Sequence, residues 1–229
     1  PGHQKPILSG INFQLEPGEV LGLIGPSASG KSTLARLLVG INRPNAGHVR
    51  LDGADVYQWR AGNLGPYVGY LPQDIELFAG TVRDNICRFT ASSSERIVTA
   101  AQKAGVHDLI LHLPQGYETE IGDGGTSLSG GQRQRIGLAR ALFGEPRFIV
   151  LDEPNSNLDT EGEQALANTV AQLKAEGVTL ILITHRPSLL THADKILALK
   201  DGQMARFGPK DQVLAQLSAP PGGGSQKPG

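Results

Sequence analysis

The chain has 229 residues, a formal net charge of −1, 39% hydrophobic residues and one cysteine. This length and apolar content suffice for one large domain or two small ones with a packed core. The near-neutral charge gives no sign of a nucleic-acid-binding surface, and a single cysteine excludes an internal disulfide. No apolar run approaches the ~20 residues that a membrane-spanning helix needs.

Apolar runs and amphipathic stretches predict an α/β fold. The runs Phe148–Leu151 and Thr179–Ile183 are continuously apolar, as in parallel strands that are covered on both faces. The predicted strands are Ile7–Leu15, Val20–Ile24, His48–Leu51, Val68–Leu71, Phe148–Leu151, Thr179–Ile183, Ile196–Leu199 and Gln203–Phe207. The predicted helices are Lys31–Val39, Ser94–Gly105, Gly131–Phe143, Glu161–Lys174 and Lys210–Leu217.

A glycine-rich loop lies between the first strand–helix pair and fits the pattern G-x-x-x-x-G-K-[ST]. Gly25 and Gly30 allow a tight turn whose backbone N–H groups point at an anion. Lys31 supplies a positive charge near the β- and γ-phosphates of a nucleotide, and the Ser32 hydroxyl is a ligand for Mg²⁺. The residues expected to contact the nucleotide here are Gly25, Pro26, Ser27, Ala28, Ser29, Gly30, Lys31, Ser32 and Thr33.

Two acidic residues, Asp152 and Glu153, follow the apolar strand Phe148–Leu151. Ligands of open parallel sheets bind beyond the carboxyl ends of the strands. Asp152 is therefore expected to hold Mg²⁺ beside the phosphate loop, and Glu153 to accept a proton from an attacking water. An alternative is that one acid caps the next helix and the other is solvated.

A second anion site is predicted at Leu128–Gln132, where Ser129, Gly130 and Gly131 open an amphipathic helix. One nucleotide has no obvious use for two such helix termini on a single chain. Two copies arranged head-to-tail do, because each copy then offers its second site to the γ-phosphate bound by the other. A glycine-rich helix cap without a ligand is the alternative.

Together these motifs resemble the nucleotide-binding domain of an ATP-binding cassette (ABC) transporter, with Leu128–Gln132 as the cassette signature. Three further matches follow the family order. Gln73 resembles the glutamine that senses Mg²⁺ and the attacking water. Ser156–Asp159 resembles the loop that crosses the dimer interface, and His185 resembles the histidine that contacts the γ-phosphate.

The resemblance implies an ABC ATPase fold with a parallel sheet core, an antiparallel β subdomain and a helical subdomain. It implies ATP and Mg²⁺ as cofactors, with Ser32, Gln73 and Asp152 around the metal. It assigns catalysis to Glu153, His185 and Gln73. The residues that complete the nucleotide site across a homodimer are Ser129, Gly130, Gly131, Gln132 and Asp159. The expected domain is 1–218, with a helical lobe over roughly 74–145, followed by a disordered Pro/Gly-rich tail, 219–229.

Two segments resemble one branch of the family, the bacterial type I secretion ATPases that export whole proteins. They are Glu153–Asp159, with Asn155 and Asn157, and Thr184–Leu189. In addition, Thr119–Gly125 resembles the exporter segment that touches the membrane domain. The resemblance implies a fused upstream transmembrane domain, a periplasmic adaptor and an outer-membrane channel. The expected place is the cytoplasmic face of the bacterial inner membrane, with no nucleic-acid partner.

Three other functions fit parts of this pattern. An ABC exporter of lipid, peptide or drug would carry the same motifs. A soluble ABC ATPase of DNA maintenance or translation is disfavoured, because the interval from Lys31 to Ser129 leaves no room for a long coiled coil. A non-hydrolysing nucleotide-binding module is disfavoured by Glu153 and His185.

The chain departs from the family pattern near its first residues. No aromatic residue precedes Phe13, whereas the family stacks adenine on an aromatic side chain well before the phosphate loop. The only methionine is Met204. We expect the natural polypeptide to continue upstream into the adenine-stacking strand and then into membrane-spanning segments.

Overall fold

The structure is a computed structural model that describes residues 6–59 and 61–218. Within these ranges, eight strands and nine α-helices follow one another. The strands are β1 (Val20–Ile24), β2 (Arg50–Leu51), β3 (Ala54–Asp55), β4 (Val68–Leu71), β5 (Phe148–Asp152), β6 (Thr179–Ile183), β7 (Lys195–Lys200) and β8 (Gln203–Pro209). The helices are α1 (Lys31–Leu38), α2 (Ala61–Leu64), α3 (Val82–Ile86), α4 (Ser94–Lys103), α5 (His107–Leu111), α6 (Gly130–Leu142), α7 (Thr160–Ala175), α8 (Pro187–Leu190) and α9 (Lys210–Ser218).

Six of the described strands form one sheet in the order β4-β5-β6-β1-β7-β8. The first five run parallel, and β8 pairs antiparallel with β7. A separate antiparallel pair joins β2 and β3. The expected α/β fold, with a parallel core and additional antiparallel strands, is confirmed.

Both faces of the parallel sheet are covered, as its apolar strands require. Leu151 of β5 packs with Ile136 of α6 in one core. Its neighbour Val150 points to the other face and packs with Leu34 of α1. Burying each such side chain contributes about 1.5–3 kcal/mol, so α1 and α6 are held firmly against opposite faces of the sheet.

The sequence predicted most regular elements to within two residues, but the strand Ile7–Leu15 is wrong. Residues 6–18 form no strand, although Ser9 N donates a hydrogen bond of 2.8 Å to Gly202 O. Gly10 has φ 66°, which interrupts the extended backbone. Leu8, Ile11 and Phe13 nevertheless pack on the core, so the apolar alternation reflects packing without ladder pairing.

Four helices lie between β4 and β5, namely α3, α4, α5 and α6. The short helix α3 was not predicted, although Thr81 and Asp84 form a capping box at its start. The lobe boundaries 74–145 stay a prediction, and the predicted tail 219–229 lies outside the described residues. None of the helices described is long and apolar enough to cross a membrane.

Candidate functional site

The predicted site segments follow strands that are neighbours in the sheet. Gly25 follows β1, Asp152 ends β5, His185 follows β6 and Gln73 follows β4. Because β4, β5, β6 and β1 run parallel and adjacent, these residues gather at the carboxyl edge of the sheet. The fold therefore brings four distant sequence segments to one edge.

The loop from Gly25 to Ser32 requires glycine at two positions. Gly25 has φ 153°, and a Cβ there would lie 2.3 Å from Leu199 O. Gly30 has φ 99°, and a Cβ there would lie 2.6 Å from Leu8 Cδ2. Gly30 is also the N-cap of α1, which no described side chain caps. The first-turn N–H groups of α1 therefore face the loop and can bind an anion.

Lys31 lies against the backbone of this loop. Its Nζ donates hydrogen bonds of 2.8 Å to Gly25 O and 3.0 Å to Pro26 O. Both acceptors are neutral carbonyls, and no carboxylate among the described residues pairs with the ammonium group. A phosphate oxygen would be a stronger acceptor at this position, because it carries a charge opposite to that of the ammonium group.

Asp152 carries a buried carboxylate at the end of β5. The residue is 1% exposed, and neither carboxylate oxygen meets a hydrogen-bond partner in good geometry among the described residues. Burial raises the pKa of Asp152, and the charge of Glu153 adds to this effect. The side chain of Ser32 and the charges of Lys31 and Arg36 act in the opposite direction.

A divalent cation would relieve this unpaired buried carboxylate. Asp152 and the adjacent Ser32 offer the oxygen ligands that Mg²⁺ prefers, so the residues present fit this ion. The described chain holds no group of three His, Cys, Asp or Glu residues that could hold a metal ion. A Mg²⁺ ion here would therefore take its other ligands from phosphate and water, as is usual for this metal.

Glu153 and His185 face each other across the ends of β5 and β6. His185 Nε2 lies 3.6 Å from Glu153 Oε1, and their side chains are 57% and 21% exposed. Glu153 has φ 50°, a left-handed backbone that is uncommon outside glycine. Its N–H donates to Ile183 O at 2.9 Å, which ties it to β6.

A buried hydrogen bond joins the two chain segments that carry this pair. Thr184 Oγ1 donates to Asn155 Oδ1 at 3.0 Å, and both residues are at most 7% exposed. The Thr184 hydroxyl also accepts a hydrogen bond from Arg186 N at 3.1 Å. Two hydrogen bonds thus join the segments that carry Glu153 and His185, one from Glu153 N to Ile183 O and one from Thr184 Oγ1 to Asn155 Oδ1.

Gln73 lies two residues beyond β4 and is exposed. Leu71 of β4 pairs with Leu151 of β5, which places Gln73 at the same edge as Asp152 and Glu153. The strand register thus puts Gln73 at the edge that carries the acidic pair, and its role there stays a prediction.

Ser129 caps helix α6 in a capping box with Gln132. Gln132 N donates to Ser129 Oγ at 3.2 Å, and Ser129 N donates to Gln132 Oε1 at 2.8 Å. A Cβ on Gly131 would lie 2.9 Å from Asn157 O, so this helix terminus packs closely against the predicted crossing loop. No hydrogen bond or ion pair between described residues joins Ser129–Gln132 to the phosphate loop of the same chain.

Asp159 ends the predicted crossing loop and caps α7. Its Oδ1 accepts hydrogen bonds of 2.8 Å from Gly162 N and 2.8 Å from Arg135 Nη2. The hydrogen bond from Gly162 N–H and the nearby Arg135 guanidinium lower the pKa of Asp159. In this chain the carboxylate therefore fixes the loop to α6 and α7.

Gln134 is a functional candidate that sequence reasoning did not single out. It is 1% exposed and contacts both the backbone of Glu153 and the crossing loop. The sequence did hold a signal for it. Gln134 lies on the apolar face of α6, one turn before Leu138 and two turns before Ala141, where a polar residue is unusual and indicates a buried polar contact.

The fold and the gathered motifs define a nucleotide-binding α/β domain of the phosphate-loop class. The family described as "ABC transporter" matches residues 8–156, so the chain belongs to the ABC transporter family. The assignment made from the sequence motifs is confirmed, and the chain is an ATP-binding ATPase domain of that family. The individual roles of the site residues stay predictions.

Several relatives agree with this assignment. A type I secretion system ATP-binding protein, PrsD of Rhizobium meliloti, is 56% identical over 96% of this chain and 38% of its own length. A putative multidrug export ATP-binding/permease protein of Staphylococcus aureus is 39% identical over 95% of this chain and 38% of its own. The chain thus spans well under half of each relative.

A solved structure of a bacterial Atm1-family ABC exporter with ATP bound is also similar. It superposes with a TM-score of 0.84 at 37% identity, over 92% of this chain and 37% of that one. The expected ABC ATPase fold is therefore confirmed.

Proposed function

We propose that this chain is the ATP-hydrolysing engine of an ABC exporter, and that the exporter carries out type I protein secretion. The observation that supports hydrolysis is the meeting of Glu153 and His185, 3.6 Å apart, at the sheet edge that also carries the phosphate loop. A general base and a polarising partner beside a phosphate site are what attack by water requires.

The chemistry divides among residues of this chain. Lys31 and the N–H groups of Gly25–Ser32 bind the phosphates. Mg²⁺, held by Asp152 and Ser32, would neutralise charge on the phosphate oxygens. Glu153 accepts the proton of the attacking water, His185 orients the γ-phosphate, and Gln73 completes the site.

The other half of the site comes from a second copy. Ser129 of the partner subunit and Gly131 of the partner subunit would contact the same γ-phosphate, so ATP closes a head-to-tail homodimer and hydrolysis releases it. The 56% identity to the type I secretion protein PrsD supports protein as the exported substrate. A fused membrane domain, a periplasmic adaptor and an outer-membrane channel belong to this proposal, with the chain on the cytoplasmic face of a bacterial inner membrane.

Export of a drug, lipid or peptide is the alternative, which the similarity to a putative multidrug export protein supports. A first measurement tests hydrolysis, which both kinds of export require. Glu153→Gln should retain ATP binding and lose phosphate release by about 10²–10⁴-fold, since it removes the general base. The matched control is Glu161→Gln, an exposed glutamate in the first turn of α7. Near-normal turnover in Glu153→Gln would contradict hydrolysis by this site.

The transport substrate requires a test in the source bacterium. Deleting the gene should retain a specific secreted protein inside the cell, and the wild-type gene but not the Glu153→Gln gene should restore its export. If the deletion strain secretes all its proteins and instead becomes sensitive to a small toxic compound, the alternative is correct.

A further inference from the structure

Gln134 joins three parts of the site through one buried amide. Its Nε2 donates to Glu153 O at 3.4 Å. Its Oε1 accepts from Ser156 Oγ at 3.5 Å and from Asn157 Nδ2 at 3.4 Å. At 1% exposure, the side chain has no access to bulk water, so these contacts satisfy both ends of the amide.

The contact with Glu153 matters because of that residue's backbone. A non-glycine residue in the left-handed region costs about 1–3 kcal/mol and persists only where its surroundings hold it. Glu153, at φ 50°, is held through its N–H by Ile183 O at 2.9 Å. Gln134 holds the carbonyl on the other side of the same residue. The direction of the Glu153 side chain therefore depends on the position of α6.

The same helix begins at the signature segment. Gly130 and Gln134 are one turn apart on α6, whose first turn is locked by the Ser129–Gln132 capping box. A Cβ on Gly131 would lie 2.9 Å from Asn157 O, so this terminus packs against the residue that Gln134 also binds. A small displacement of the first turn of α6 would therefore move the Gln134 side chain, and with it the backbone carbonyl of Glu153.

We propose that Gln134 is a positioning residue that couples occupancy of the Ser129–Gln132 helix terminus to the orientation of Glu153 in the same chain. This inference rests on the proposed function. In the head-to-tail dimer, the nucleotide at the α6 terminus of one chain is bound by the phosphate loop of the other. Gln134 then links the two composite sites, and hydrolysis at one responds to nucleotide at the other.

The test compares three variants of the chain with the wild type. Gln134→Met keeps the volume and removes the amide. Gln134→Glu, when ionised, keeps an acceptor for Ser156 and Asn157 but cannot donate to Glu153 O. Thr169→Val is the control, because it removes another buried hydrogen bond, of 2.8 Å to Lys103 O, between α7 and α4. Each variant is measured for urea unfolding, Mg-ATP affinity, turnover and the Hill coefficient for ATP.

We expect both Gln134 variants to bind Mg-ATP within about twofold of the wild type and to lose turnover by about 10–10²-fold, as a misplaced catalytic group does. Their Hill coefficients should fall toward unity. Thr169→Val should lower stability and leave turnover unchanged. If Gln134→Met does not fold, Gln134→Glu carries the test.

Three results would overturn the inference, and each has a different meaning. Turnover and Hill coefficient that are unchanged in both Gln134 variants would show that Gln134 is structural only. Normal turnover in Gln134→Glu alone would show that the loop contact, and not Glu153, is what matters. A wild-type chain that folds but hydrolyses no Mg-ATP at any concentration would overturn the proposed function, and this inference with it.

Discussion

Asn155 and Thr184 form a buried hydrogen bond of 3.0 Å that fixes the loop after β5 to the end of β6. Each lies close in sequence to one member of the Glu153–His185 pair. This bond holds together the two segments that carry the pair, in which His185 Nε2 lies 3.6 Å from Glu153 Oε1.

His185→Ala should reduce turnover by about 10²–10³-fold with a small change in ATP affinity, because it removes one preorganised donor to the transferring phosphate. The matched control is His112→Ala. His112 is an exposed histidine directly after α5, and its Nδ1 lies 2.7 Å from the backbone oxygen of Asp108. Steady-state phosphate release and Mg-ATP titration give both quantities. A variant that lost affinity but kept wild-type turnover at saturating ATP would assign His185 to ground-state binding instead.

Lys31→Ala should weaken ATP binding itself, since the ammonium contacts phosphate before the reaction begins. The loss of a charge-assisted hydrogen bond costs about 1.5–3 kcal/mol, or about ten- to a hundredfold in dissociation constant. Lys103→Ala is the control, as it removes a lysine that pairs with Glu176 between α4 and α7. Calorimetric titration with Mg-ATP checks this, and equal affinities of the two variants would exclude Lys31 from the nucleotide site.

Asp194 provides a pH-dependent test of the packing at the opposite edge of the sheet, where β1 and β7 begin. Burial acts to raise the pKa of Asp194, but the hydrogen bonds from Lys174 and Val20 N–H and the charge of Lys174 lower it overall. A lowered carboxyl pKa stabilises the fold above the unfolded value of about 3.8, and this stability is lost as the pH falls through the folded value.

Asp194→Asn should therefore be less stable than the wild type at pH 7, by about 0.5–1 kcal/mol for this partly exposed pair. The difference should persist down to about pH 4 and shrink below it. Urea unfolding of both proteins across this range measures it. A difference that grows on acidification would contradict a lowered pKa for Asp194 in the folded chain.

The sequence predicted which segments gather at the candidate site, but it did not predict the hydrogen bonds that hold these segments in place. The phosphate loop, Asp152 and His185 all follow strongly apolar strands, so their gathering at one edge could be inferred from strand ends alone. The lack of a strand over residues 6–18 could not be inferred in this way, because apolar alternation predicts burial on one face and does not show whether the backbone forms a strand ladder. Gln134 was missed because its role depends on a backbone carbonyl that is distant in sequence.

The head-to-tail composite site is tested most directly by mixing two inactive variants. Lys31→Ala disables the phosphate loop, and Ser129→Arg disables the signature terminus. Ser93→Arg, at an exposed helix start whose side chain caps nothing, is the control for the added arginine. The Glu153→Gln variant with Mg-ATP, measured by size-exclusion mass, establishes the concentrations at which dimers form.

Each homodimer of the two inactive variants should lack an intact site. In an equimolar mixture, half of the dimers should be mixed, and each mixed dimer should retain one of its two sites. Independent sites would give about a quarter of wild-type phosphate release, and coupling through Gln134 lowers this value, so we expect a clear recovery of at most about a quarter. A mixture that stays inactive where dimers are populated, or a Ser129→Arg protein that is fully active alone, would contradict the composite site.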